Sequence, residues 1–344
     1  MGGVSSCTVS ALFLYTDRYA TGTTVFKVRE YNSNHAIVAS QTVLNPLDEG
    51  KVIKLSWQLQ ERKSEVEFLE LLREMRISSV PELVTAEDLE ELQDGIHGDI
   101  QGILRKPQPR STDNRVYRAI VMKPYLVPLT RIPDFNVFYE MFKGTVDGEC
   151  HDTRVPLSFS HSGVIWPVHY QVYVKGGVLH RDINPENLMV RSEKDGGYTP
   201  YLIDFDFAVR TSELNKDRIL THRTMATPFL ATTLLSKSPP SASYGSDLES
   251  FYWSLWWIAV SYGNGKRRRT TLLNEWSNGH FDNIRVRKHG FLVGGVTIAP
   301  PSRSMPGAEA PLKRLTNLFY SVLVDGPRRG MIVDLTYETF RYCL

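Results

Sequence analysis

His180-Arg181-Asp182-Ile183-Asn184-Pro185-Glu186-Asn187, followed by Leu188-Met189-Val190 and then by Tyr198-Thr199-Pro200-Tyr201-Leu202-Ile203-Asp204-Phe205-Asp206, is the stretch that decides the fold. The runs 188–190 and 198–203 are short and apolar, and the turn-rich Lys194-Asp195-Gly196-Gly197 separates them, so the pair reads as a β-hairpin. A hairpin sets its two ends side by side. Asn187, entering the first strand, and Asp204, leaving the second, are therefore expected to meet. A single Asp at a strand end more often caps a turn; the polar loop and the acidic triplet together make the stronger signal.

Toward the amino terminus, Val9–Tyr15, Thr23–Arg29, Ala36–Leu44 and Lys51–Ser56 alternate with turn chemistry at Thr21-Gly22, Asn32-Ser33-Asn34 and Asn45-Pro46, which predicts an antiparallel sheet. Lys54 lies inside the last of these apolar runs. A buried ammonium without a partner is costly, so an acidic partner is expected. Over 61–75, Val66, Phe68, Leu69, Leu72 and Met75 recur at helical spacing, giving one amphipathic helix that carries Glu61, Glu65 and Glu67. Periodicity alone leaves all three glutamates open. Residues 85–115, acidic and then rich in Gly, Pro, Gln and Ser, read as an irregular insertion. Strand character returns at Val116–Val121, and 123–128, with two prolines, suits a connector.

Toward the carboxy terminus the chain reads as mainly helical. Leu248–Val260 is apolar almost all round and is expected to be buried on every side. From Phe135, the residues Phe138, Phe142, Val146 and Cys150 keep a helical period that 151–168 breaks with Pro156 and Pro167; with 151–168 removed, Val172 falls back on the same face. That segment reads as an insertion in one long helix, of the kind a retained intron would add. Beyond Ala299-Pro300-Pro301 a last helical pair spans roughly 310–323 and 336–343.

The loop 180–187 resembles the H-R-D-x-x-x-x-N catalytic loop of protein kinases, Val52-Ile53-Lys54 resembles the V-A-I-K strand, and Glu65 begins a helix similar to the one that supplies the kinase ion-pair glutamate. Glu65 is preferred because it precedes Val66 and Leu69 in the usual register. Within that superfamily the chain resembles the fungal-type protein kinases. The marks are Asp204-Phe205-Asp206, Arg223-Thr224 leading to Thr227-Pro228-Phe229-Leu230-Ala231, Asp247-Leu248-Glu249-Ser250-Phe251, and Lys54-Leu55-Ser56-Trp57 with Ser64-Glu65. The resemblance implies an α+β bilobal fold. Residues 1–122 would form a small β-rich nucleotide-binding lobe with one helix, 123–128 a hinge, and 129–344 a larger helical catalytic lobe. It implies ATP and Mg²⁺, and transfer of the γ-phosphoryl group to a Ser or Thr hydroxyl of a protein substrate. Asp182 would be the catalytic base, with Lys54 and Glu65 completing the catalytic set. Gly22 and Lys54 would face the nucleotide, and Asn187 and Asp204 would hold the metal. His180, Arg181 and Phe205 would be structural or regulatory. Asp247 would hydrogen-bond the catalytic-loop backbone, although an Asp there equally suits an N-cap.

Some positions depart from that pattern. Only Gly22 stands in Tyr19–Phe26, where kinases carry a glycine-rich loop. Asn184 replaces the usual lysine, Thr233 stands where the glutamate of A-P-E is expected, leaving Arg328 and Arg329 without that partner, and Asp206 replaces a glycine. These leave two alternatives to an active enzyme on proteins: a pseudokinase scaffold, or a phosphotransferase acting on small molecules. Thr211, Ser212, Thr221, Thr224 and Thr227 are candidate phosphate acceptors facing Arg181.

Composition agrees with a globular chain, at 42% apolar and 23% charged residues with a net charge of +2, and argues against a nucleic-acid partner. The basic run Lys266-Arg267-Arg268-Arg269 reads as a solvated loop. Cys7, Cys150 and Cys343 form no metal or disulfide pattern, and no apolar run is long enough for a membrane span, so an intracellular location is expected. Met1-Gly2-Gly3-Val4-Ser5-Ser6 with Cys7 fits a lipidation pattern that is short and common.

Overall fold

A five-stranded antiparallel sheet is built from β1 (Phe13–Thr16), β2 (Thr24–Val28), β3 (Lys51–Leu59), β4 (Glu82–Glu91) and β5 (Arg115–Lys123), in the order β1-β2-β3-β5-β4. In this computed structural model the described residues are 13–16, 23–28, 50–60, 62–91, 115–146, 168–214, 227–268, 273–277, 279–294, 300–303, 305–331, 333 and 335–344. The strand expected at Ala36–Leu44 and the glycine at 22 lie outside them.

The inward face of the central strand β3 is polar. Lys54, Ser56 and Gln58 are only 4%, 0% and 7% exposed, one after another along that face. Buried polar groups need partners, and α1 (Glu65–Glu74) brings the first. Ser64 caps it, accepting from the Glu67 backbone N–H while Glu67 returns a bond to the Ser64 N–H, which fixes the helix start four residues later than the apolar period suggested. Phe68, Leu69 and Leu72 on its inner face are buried.

The irregular insertion expected over 85–115 is corrected in its first part. Residues 85–91 continue β4, which pairs with β5 from Glu82↔Lys123 to Glu91↔Val116 with two register irregularities. Acidic residues on an edge strand hide the apolar period, and Asp88 finds Arg118 across the pair.

The described residues beyond Lys123 form β6 (Val127–Pro128), α2 (Phe135–Val146), α3 (Val168–Val174), β7 (Val178–Leu179), β8 (Leu188–Ser192), β9 (Tyr198–Leu202), β10 (Val209–Arg210), α4 (Tyr244–Ser261), β11 (Tyr262–Gly263), β12 (Lys266–Arg267), α5 (Phe281–Gly294), α6 (Glu309–Tyr320) and α7 (Tyr337–Cys343). The mixture is α+β. β6, the last two residues of the proline-containing connector, joins β8 and β9 in a three-stranded sheet. Lys266 and Arg267 are exposed, on a β11–β12 hairpin rather than in an open loop. The expected insertion 151–168 lies outside the described residues apart from Val168, which is buried as the first residue of α3. Among the described residues no helix is long and apolar enough to cross a membrane.

Helix α4 is the spine of the core. Ser243 caps it, and its residues from Ser246 to Ser261 are buried against rings including Phe142, Phe291 and Phe319. Trp256 is wholly buried, edge-on to Phe291 with centroids 5.0 Å apart, whereas Tyr342 is 87% exposed. Trp256→Ala is expected to cost about 3–5 kcal/mol in urea denaturation, and Tyr342→Ala less than about 0.5 kcal/mol.

Candidate functional site

The polar face of β3 meets three carboxylates. Lys54 Nζ donates to Glu65 Oε2 at 2.8 Å, to Asp204 Oδ1 at 2.8 Å and to Asp206 Oδ2 at 2.9 Å. The sheet, α1 and the end of the β8–β9 hairpin therefore converge on one ammonium. Burial opposes its charge, yet Asp204, Asp206 and Glu65 hold the Lys54 pKa well above the ordinary lysine value. Three carboxylates against one cation leave an excess of negative charge. Burial pushes Glu65 up despite Lys54. Asp206 is pushed up to about 8 by burial, with Glu65 and Asp204 adding to the effect. Asp204 resists its burial and stays below the usual carboxylate range because of Lys54.

Glu65 also ties the triplet to the helix, since its Oε1 accepts from the Phe205 backbone N–H at 3.0 Å. Phe205 is fully buried and lies edge-on to His180, with centroids 4.9 Å apart. Asp206 is pinned a second time by Gln58, whose Nε2 donates to its Oδ1 at 2.6 Å and whose Oε1 accepts from Arg118 at 2.7 Å.

On the other side, the loop 180–187 hangs from Asp247 in the first turn of α4. Asp247 Oδ2 accepts from the His180 N–H and Oδ1 from the Arg181 N–H, each at 3.0 Å. His169 Nε2 donates to the same carboxylate at 3.0 Å, and the Tyr337 hydroxyl donates to its Nδ1 at 2.9 Å, so α3 and α7 support the loop from below. These bonds sustain an unusual backbone: Arg181 and Asp204 both have φ near 66°, a conformation costing about 1–3 kcal/mol for a residue with a side chain. His180 Nε2 donates to the Ile203 carbonyl at 2.9 Å, and burial lowers its pKa.

Asp182 Oδ2 accepts from the amide nitrogens of Asn184 and Asn187, both at 3.1 Å. Asn184 Oδ1 in turn accepts from the Glu186 and Asn187 N–H groups. The hairpin register sets Asn187 opposite Ile203, the residue before the triplet, and the Ile203 N–H donates to the Asn187 carbonyl at 3.2 Å. Asp182 and Asn187 thus share one loop, and Asp204 and Lys54 share one cluster beside it.

Several positions were under-read from sequence. Asn184, noted there only as a missing lysine, is the clasp of the loop. Asp206 and Gln58, read as a departure and as nothing, lock the triplet to β3. Where Thr233 lacks a glutamate, Glu249 accepts from the Thr232 N–H at 2.8 Å, and Lys288 donates to the Leu230 carbonyl at 2.6 Å. Burial lowers the Lys288 pKa to about 7, against the opposing charge of Glu249. Arg329 pairs with Asp325 instead. Asp247 is not the N-cap, which is Ser243. Gly22, Thr221 and Thr224 lie outside the described residues.

Oxygen donors and cationic chemistry coincide here. Glu65, Asp204 and Asp206 offer ligand atoms within 4.8 Å of one another, and hard divalent cations favour such carboxylates.

A family profile described as fungal protein kinase matches residues 11–150 and 164–259, more than half of the chain. Its gap, 151–163, falls inside the segment that breaks the helical period. No curated protein matches the chain.

Replacing Lys54 removes the one cation among three buried carboxylates, so the folded state then binds more protons than the unfolded one and stability falls as pH rises. Lys54→Met is expected to lose on the order of 3 kcal/mol relative to the natural chain near pH 8, and markedly less near about pH 5, where the carboxylates take up protons. Urea denaturation at the two pH values measures the difference.

Proposed function

Because the chain belongs to the fungal protein kinase family, we propose that it is an ATP- and Mg²⁺-dependent kinase transferring the γ-phosphoryl group to Ser or Thr hydroxyls of a protein substrate. The sheet with α1 forms the small lobe of a bilobal protein-kinase fold, 1–122, and the helical part the large lobe, 129–344. Residues 123–128 are the hinge between them, since β5 ends at Lys123 and β6 already belongs to the sheet of β8 and β9. The observation that carries this reading is the Lys54 ammonium, bonded at 2.8 Å to both Glu65 and Asp204 across 150 residues of chain.

Phosphoryl transfer depends on positioned charge more than on covalent help from the protein. Lys54, aimed by Glu65, binds phosphate oxygens. Asp182 accepts the proton of the attacking hydroxyl as its oxygen bonds to the γ-phosphorus and the bond to the β-phosphate oxygen breaks. The amides of Asn184 and Asn187 hold that carboxylate at a fixed orientation, and Asp247 fixes the loop beneath it. The residues present fit a divalent metal: Asp204 already holds a cation, the Lys54 ammonium, and Asn187 spends its amide nitrogen on Asp182, so its oxygen is the ligand atom it would offer. The metal supplies neutralisation of phosphate charge. Asn184 brings no cation to the acceptor side, so among these residues Lys54 carries the positive charge that stabilises the transferring phosphoryl group.

Incubation with γ-labelled ATP, Mg²⁺ and a generic Ser/Thr-containing protein is expected to label the protein, and Asp182→Asn to lower the rate at least about a hundred-fold while the melting temperature of the chain stays close to that of the natural sequence. A folded chain that labels no protein would contradict the proposal, and label confined to small-molecule hydroxyls would replace it with the other phosphotransferase reading.

A further inference from the structure

We infer that Asp206 is a metal-holding carboxylate beside Asp204, so that the Asp204-Phe205-Asp206 triplet offers a divalent cation two acidic oxygen donors where a triplet ending in glycine offers one. The inference deepens the kinase reading and rests on it.

The carboxylates of Glu65, Asp204 and Asp206 surround one point, and that point is now taken by the Lys54 ammonium at 2.8, 2.8 and 2.9 Å. The three differ in what else they do. Glu65 is wholly buried and its second oxygen is engaged by the Phe205 N–H. It therefore stays with Lys54 when the ammonium turns to phosphate oxygens. The Asp204 and Asp206 side chains are 27% and 9% exposed and lie on the open side of the cluster. Once the ammonium shifts, two adjacent, partly buried carboxylates lose their shared cation, and their mutual repulsion without one is unfavourable. A divalent cation matches that charge and favours oxygen donors.

Asp206 is also oriented for this task by a second residue. Gln58 Nε2 takes its Oδ1 at 2.6 Å, and Arg118 anchors Gln58 at 2.7 Å, which leaves Oδ2 to the Lys54 ammonium, in a cluster where Asp204 and Asp206 offer ligand oxygens within 4.8 Å of each other. Metal-binding carboxylates characteristically have such an outer hydrogen bond. The Asp206 N–H lies 3.4 Å from Asp204 Oδ1, which closes the turn and keeps the two side chains on one side.

Mn²⁺, followed by electron paramagnetic resonance, reads the site directly on the full chain with ADP. Asp206→Asn is expected to weaken Mn²⁺ binding in the ADP complex by about ten-fold or more, Asp206→Gly to do the same, and Asp206→Glu to recover most of the loss. ADP affinity in EDTA is expected to be unchanged or higher in Asp206→Asn, which separates metal holding from damage to the fold. Mn²⁺ affinity within about two-fold of the natural chain in both Asp206→Asn and Asp206→Gly would overturn the inference and leave the kinase reading standing. A natural chain that binds neither ADP nor Mn²⁺ with ADP would remove both.

Discussion

One buried ammonium organises this molecule. Lys54 sits on the inward face of a central strand, where a cation alone would be intolerable, and three carboxylates make it tolerable. One comes from the helix after the strand, and two come from a triplet 150 residues later. The sheet and the helical part are therefore joined by charge at this point, and the requirement runs both ways. Without the lysine the three acids repel, and without the acids the lysine cannot stay charged.

A second hub does for the loop what Lys54 does for the triplet. Asp247 accepts from two consecutive backbone N–H groups and from His169, and its helix is the most deeply buried among the described residues. The left-handed backbone at Arg181 persists because these bonds over-determine it. The chain of contacts continues through His169 to Tyr337 on the last helix, so the orientation of Asp182 depends on packing far from the cleft. Glu249 and Lys288, from α4 and α5, hold the segment 230–232 in a comparable way, each through a hydrogen bond to its backbone, where the kinase A-P-E glutamate is missing.

Much of this was legible in the sequence, for physical reasons that can be named. The hairpin 188–203 carried both its strand runs and its turn, so the placing of Asn187 opposite Ile203, next to the triplet in the chain, followed from antiparallel pairing. Lys54 announced itself as a charge in an apolar strand that needs a partner; the resemblance to the kinase ion-pair helix pointed to Glu65, though periodicity could not choose among Glu61, Glu65 and Glu67. Geometry chooses Glu65, which is buried, while Glu67 caps the helix start. The edge strand β4 was misread past residue 85 because its acidic residues face solvent and pair with Arg118, leaving no apolar alternation to detect. Asn184, Gln58 and Asp206 were missed in their roles for another reason: each acts through a hydrogen bond to a residue distant in sequence or set by loop geometry, which no local spacing encodes.

The claim on which the rest depends is that nucleotide phosphates bind at Lys54. An acyl-phosphate analogue of ATP, whose acyl group transfers to an amine lying beside the phosphates, measures this most directly when the modified residue is located by peptide mass spectrometry. The account predicts acylation of Lys54, suppressed by excess Mg²⁺ with ATP. Labelling that spares Lys54, or labelling of Lys54 that excess ATP leaves untouched, would contradict it.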